Sequence, residues 1–268
     1  ISNAWHLAGG FSVFIVMRDG TLFAATDNTV AAKVDQPHVV LGLDAYVIEL
    51  LLTPKGIIES HARNPFLTLP QTGIASVGND VVDIAVGERH VLVLKEDGSV
   101  WAAGDSSKYQ CARLEAQVPG AVRIDGLPRI IQVAAHGNAS YALDATGTWW
   151  YWGGVPAMTI QQPTKEGSPA NIVWIDRNYA IDNEGRVFKR AQSFQSGGSG
   201  ITLSHRQDTL PCAASMMAGW VPGSYDSSNS RLVLCRDGNL YYSQSQWAGS
   251  SYVPVTGIGK VAQPTMAR

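Results

Sequence analysis

The 268-residue chain carries a formal charge of −2, with 45% hydrophobic and only 16% charged residues, and is rich in Gly (27), Pro (13), Trp (8) and Tyr (9). This is the profile of a turn-rich, aromatic-rich, lightly charged all-β protein and excludes a disordered chain. No basic run supplies the electrostatic footprint that phosphate binding needs, and no apolar run approaches the roughly 18 residues of a membrane span, so neither nucleic acid nor a membrane crossing is expected.

The N-terminal "ISNAWHLAGG" has neither the basic start nor the apolar stretch of a signal peptide, so any export signal is expected to have been removed or never present. The first strong element, "FIVMRDGTLFAA" at 14–25, joins three apolar residues to a polar approach, a glycine, one free position and an apolar pair. The same frame returns without a gap as "LLLTPKGIIESH" (50–61), "LVLKEDGSVWAA" (92–103), "YALDATGTWWYW" (141–152), "YAIDNEGRVFKR" (179–190) and "LVLCRDGNLYYS" (232–243). Each glycine, at Gly20, Gly56, Gly98, Gly147, Gly185 and Gly238, supplies the positive-φ residue of a tight hairpin turn.

The strand before each turn has consecutive rather than alternating apolar residues, as in Leu92-Val93-Leu94, and so is buried on both faces. Repeated along a chain, such strands fit small sheets stacked face to face, which is the arrangement of a β-propeller. The turn glycines lie 36 to 53 residues apart, counting the wrap from C- to N-terminus, so no interval hides an unseen sheet. The expectation is one all-β propeller domain over 1–268 with six blades. A seventh is the alternative, and only the longest interval, containing "SFQSGGSGITLSH", could hold it. The C-terminal "VTGIGKVAQ" (255–263) looks like the lead-in to a hairpin with none after it, so tail and head are expected to share one blade and close the ring.

The stretch "VVDIAVGERHVLVLKEDGSVWAAGDSSKYQ" (81–110) resembles the repeat of the regulator of chromosome condensation family. Gly87, His90, Leu94, Gly98, Trp101, Gly104 and Gln110 fall on the matching positions, whereas Tyr109, Cys111 and Ala112 stand where Gly, Leu and Gly would. Residues 133–154 keep most of the frame, and the remaining copies keep less. The resemblance implies the propeller fold. For function it implies a choice, since the family includes exchange factors for small GTPases, protein inhibitors and binding scaffolds.

The six histidines, His6, His38, His61, His90, His136 and His205, show no ligand spacing, and no nucleophile stands with a base, so no catalytic residue, metal or cofactor is expected. His90 is read as a structural residue hydrogen-bonding at a blade corner, and the sequon "NAS" at 138–140 as a chance match. Cys111, Cys212 and Cys235 are too few for a disulfide framework; a Cys212–Cys235 bridge leaving Cys111 free stays open beside three free thiols. Trp149-Trp150-Tyr151-Trp152 must send alternate rings to opposite faces of a strand.

Trp220, Tyr225, Trp247 and Tyr252 lie in Gly/Ser/Pro-rich segments, a composition suited to a recognition surface. With Trp152, His61 and Arg63 they form the candidate ligand-binding set. The expected function is non-catalytic recognition of a surface glycan or protein receptor, outside a bacterial cell, pilus or virion, by a domain monomeric in isolation or carried in a larger fibre or pilus protein. The alternative is a guanine-nucleotide exchange factor or protein inhibitor of the same propeller family.

Overall fold

The computed structural model describes side chains over most of residues 77–188 and within 210–215, 233–241 and 252–254, and backbone alone in the other strands named below. The hairpin turns organise it. Gly98, Gly147, Gly185 and Gly238 all take φ between 80° and 83°. Each donates its amide to the residue three before it, Gly147 to Asp144 O at 3.0 Å for example. The turn is therefore a three-residue loop closed by a left-handed glycine. Acidic side chains complete it, Asp182 Oδ1 accepting from the amides of Glu184 and Arg186, both at 2.9 Å. Gly20 and Gly56 lie outside the described residues.

The turn glycines also join neighbouring sheets. The carbonyl of Gly98 accepts the amide of Ile130 at 3.0 Å, and that of Gly185 the amide of Ala214 at 2.9 Å, each at the start of the next sheet. A Cβ on Gly185 would fall 2.7 Å from Ala213 Cβ. One residue type thus answers two demands, a positive φ and the close approach of the next sheet's backbone.

Six antiparallel sheets are described, in chain order. The first holds β1 (Ala4–Gly9), β2 (Val13–Met17), β3 (Leu22–Thr26) and β4 (Thr29–Val34). The second holds β5 (Val39–Asp44), β6 (Ile48–Leu52) and β7 (Ile58–Ala62). The third holds β8 (Val81–Val86), β9 (His90–Lys95), β10 (Val100–Asp105) and β11 (Gln117–Arg123). The fourth holds β12 (Ile130–His136), β13 (Ala139–Asp144), β14 (Trp149–Val155) and β15 (Met158–Glu166). The fifth holds β16 (Ile172–Ile175), β17 (Tyr179–Asp182), β18 (Val187–Phe194) and β19 (Ile201–Asp208). The sixth holds β20 (Ala214–Gly219), β21 (Arg231–Cys235), β22 (Leu240–Ser243) and β23 (Tyr252–Pro254). First strands lie against first strands, β1 on β5, β5 on β8, β8 on β12 and β12 on β16, and β20 lies against β1. The first sheet takes its four strands from residues 4–34. Residues 255–263, expected to share that blade, lie outside the described residues.

Strands β9, β13 and β17, which enter the hairpins, are buried along nearly their whole length, as their consecutive apolar residues predict. The aromatic strand divides its rings between two cores. Trp152, with Leu92, Leu94, Val100 and Val133, packs between the third and fourth sheets. Trp149, with Tyr141, Ile172 and Ile175, packs between the fourth and fifth. Trp152 is 0% exposed, which corrects its assignment as a ligand contact, because the neighbouring sheet covers the face of β14 that it occupies. Cys212 and Cys235 are bridged, tying the lead-in of the sixth sheet to its second strand. Cys111 is free and buried, and burial pushes its thiol up to about 12, so it is no nucleophile at neutral pH.

Candidate functional site at the corner between the third and fourth sheets

Residues 87–90 link β8 to β9 at one end of the third sheet. Gly87 makes this turn possible, since a Cβ there would lie 2.1 Å from His90 Cε1. His90 is fully buried and reaches into the fourth sheet, its Nε2 lying 2.8 Å from Ser140 Oγ. Ser140 donates its one hydroxyl proton to the carbonyl of Gln110 at 2.8 Å. His90 is therefore the donor from Nε2. The same Gln110 carbonyl accepts Trp152 Nε1 at 2.8 Å, and Gln110 Nε2 donates to Asn138 Oδ1 at 2.9 Å.

A buried Ser beside a His raises the question of nucleophilic catalysis, and the proton positions answer it. A general base must accept the serine proton, whereas here the imidazole donates and the hydroxyl points to a carbonyl. The pair is a sheet-to-sheet brace, which is the role the sequence assigned to His90. Asn138 shares in the same brace, and the Ser140 of its sequon is fully buried. Ser140→Ala leaves the His90 donor without its acceptor and should cost about 1–3 kcal/mol, read by urea denaturation. A fluorophosphonate probe should leave Ser140 unlabelled, and labelling would reverse the donor assignment.

The brace supports the loop of residues 106–116 between β10 and β11, whose Ser106, Gln110, Cys111 and Ala112 are buried. Two residues in it occupy the left-handed region, Tyr109 at φ 61° and Ala112 at φ 50°. These are two of the positions where the repeat has glycine. The side chains have changed and the backbone path has been kept, at about 1 kcal/mol of strain per residue. Amides of Tyr109 and Ala112 bonded to Ser106 O and Tyr109 O, both at 2.8 Å, hold that path. Ser107 and Lys108 are exposed and Tyr109 is half-buried. Leu114 is 81% exposed, the most open large apolar side chain among the described residues.

Most of the sequence-nominated set lies beyond the residues whose side chains the structure describes. Trp220, Tyr225, Trp247 and Arg63 lie outside the described residues. His61 pairs with Glu49 in the backbone register of β6 and β7, with its side chain outside the described residues. Tyr252 is half-buried in β23, opposite Ser243. The sequence marks Tyr109 only as a departure from the repeat and does not single out Leu114. The available signal was the departure from glycine in an otherwise retained corner. Among the described residues no group of three His, Cys, Asp or Glu could hold a metal ion, and no helix is long and apolar enough to cross a membrane.

Comparison with known proteins gives a consistent picture of the fold. The regulator of chromosome condensation repeat profile matches residues 81–110. Comparison with curated protein sequences finds no match. The structure of human WBSCR16 is similar with a TM-score of 0.64 at 16% identity, covering 98% of this chain and 85% of that one. Prp20p from Saccharomyces cerevisiae, studied for its binding to Gsp1p and histones, is similar with a TM-score of 0.63 at 14% identity, covering 95% of this chain and 79% of that one. Yeast RCC1 (Prp20) with Kap60 bound to it gives a TM-score of 0.62 at 14% identity over 96% of this chain and 77% of that one. The chain is a β-propeller protein that carries a regulator of chromosome condensation repeat at residues 81–110.

Proposed function

We propose that the chain is a non-catalytic propeller that binds another protein, and that the loop of residues 106–116 is part of the binding face. The observation that carries this reading is Leu114, 81% exposed on a loop held in shape by the buried His90, Ser140 and Gln110 brace. An apolar side chain presented on a rigid support can be desolvated by a partner with little loss of conformational freedom. The repeat match and the likeness to Prp20p, whose studied partners are proteins, support an exchange factor or protein inhibitor over a glycan adhesin. A second reading, an outward-facing binding protein, is favoured by the Cys212–Cys235 bridge, since disulfides persist in oxidising compartments.

The test measures binding of the purified chain to a Gsp1p-type GTPase and to core histones, nucleotide release from the GTPase, and binding to a glycan array. Leu114→Asp should weaken binding to the protein partner by about tenfold or more, with the melting temperature changed by about a degree or less. Glycan binding insensitive to Leu114→Asp, with no protein bound, would replace this reading with the adhesin.

A further inference from the structure

Asp-Gly pairs occur in the chain at 19–20, 97–98, 125–126 and 237–238. This dipeptide is open to a reaction within its own backbone, because glycine places no Cβ beside the amide nitrogen that faces the preceding carboxyl carbon. How each pair is held decides whether the reaction proceeds. Asp19–Gly20 lies outside the described residues, and the other pairs differ.

Asp97–Gly98 and Asp237–Gly238 close hairpins. Asp97 Oδ1 accepts the amide of Ser99 at 2.8 Å, and the Gly98 amide donates to Lys95 O at 2.9 Å. Asp237 Oδ1 accepts the amide of Asn239 at 3.0 Å and its Oδ2 accepts Asn239 Nδ2 at 2.8 Å, while the Gly238 amide donates to Cys235 O at 3.0 Å. In both pairs the carboxyl and the amide nitrogen are engaged elsewhere. Gly98 is also walled in, with Arg129 Cγ 2.5 Å and Ile130 O 3.1 Å from the position of a Cβ. The hydrogen bonds from Ser99 hold the Asp97 carboxyl below its ordinary range, which favours the unreactive ionised form.

Asp125–Gly126 has neither restraint. It lies in the connection of residues 124–129 between β11 and β12. The ends of that connection are pinned, the Ile124 amide to Val100 O at 2.8 Å and the Ile130 amide to Gly98 O at 3.0 Å, and both isoleucine side chains are buried. Between them the Asp125 side chain is 73% exposed, and its Oδ2 meets Arg113 Nη1 at 3.3 Å. Such a surface pair yields readily to solvent. Among the described residues no acceptor receives the Gly126 amide, and nothing lies within 4 Å of the position of a Cβ on Gly126.

We propose that Asp125–Gly126 is a site of spontaneous isoaspartyl formation, and so a substrate for isoaspartyl carboxyl methylation by an S-adenosylmethionine-dependent enzyme. The Gly126 nitrogen attacks Cγ of the neutral Asp125 carboxyl. The N–Cγ bond forms, and the amide proton leaves with the carboxyl hydroxyl as water. Water then opens the cyclic imide. Addition at Cγ restores aspartate, whereas addition at the main-chain carbonyl carbon of Asp125 breaks its bond to the Gly126 nitrogen, which regains its proton, and the chain then runs through Cβ and Cγ. Water is lost and regained, and nothing is oxidised or reduced. The product carries an extra backbone methylene between the pinned ends, and its carboxylate is displaced from Arg113. Arg113 precedes Leu114, so the change falls beside the loop proposed to bind a partner, and the assignment holds whether or not that loop binds one.

The test ages the purified full chain at mildly acidic pH, either folded or in guanidinium chloride, and digests it with trypsin. Residues 124–129 and 96–108 are released as separate peptides carrying Asp125 and Asp97. Isoaspartate is read as a second chromatographic peak of unchanged mass, located by fragmentation, and as methyl groups transferred by an isoaspartyl methyltransferase. Folding should slow the reaction at Asp125 by about threefold or less and at Asp97 by about tenfold or more, since the hairpin must open before its pair can react. Gly126→Ala should slow the reaction at Asp125 by about tenfold in guanidinium chloride as well as in the folded chain, because the added Cβ hinders attack in both. Equal protection of Asp125 and Asp97 by folding, or an unchanged rate in Gly126→Ala, overturns the assignment.

Discussion

Gly147→Ala is expected to cost about 3 kcal/mol of folding free energy, lowering the urea midpoint without abolishing secondary structure. Gly147 sits at φ 80°, where an L side chain costs roughly 1–2 kcal/mol. The added Cβ would also lie 3.0 Å from both the amide nitrogen and the carbonyl oxygen of Ile172, and 3.1 Å from Asn171 Cα. These are backbone atoms of the next sheet, which cannot rotate away. Gly126 separates the two effects, because it has the same φ of 80° but nothing within 4 Å of its would-be Cβ. Gly126→Ala should cost only about 1 kcal/mol. Equal losses for the two variants would show that the contact between sheets contributes nothing at the turn.

Trp152→Ala should cost about 3–5 kcal/mol, which for a chain of this size lowers the melting temperature by about 10 °C. The ring is fully buried between the third and fourth sheets, and its removal leaves a cavity walled by residues from both. Trp152→Phe keeps most of the ring volume and loses the bond to Gln110 O. That acceptor retains Ser140, so the loss should be about 1–2 kcal/mol. A residue serving recognition would show the reverse, with weakened binding on an unchanged fold. Trp152→Ala with an unaltered melting temperature would return Trp152 to the candidate contacts.

The repeat, the hairpins and the all-β propeller class are legible in the amino-acid order alone, since their signals are local: a glycine three residues after a strand end, and apolar residues in unbroken runs. It also identified His90 as a structural residue, because the repeat around residues 81–110 is dense enough to read. It gave no means of ranking the aromatics, since Trp149 and Trp152 are equivalent in composition and their burial depends on sheets contributed by residues elsewhere in the chain. The corner was legible as a motif and misleading as chemistry: Tyr109 and Ala112 break the glycine pattern, yet the backbone keeps the left-handed path. The pairing of Cys212 with Cys235 was open until the strands placed them side by side. Asp83 reads in sequence as an ordinary acid in an apolar strand. The fold alone places its Oδ2 within reach of the amide of Val133, 50 residues away, because the spacing between neighbouring sheets is set by turn and loop lengths and by packing between their faces rather than by any local pattern.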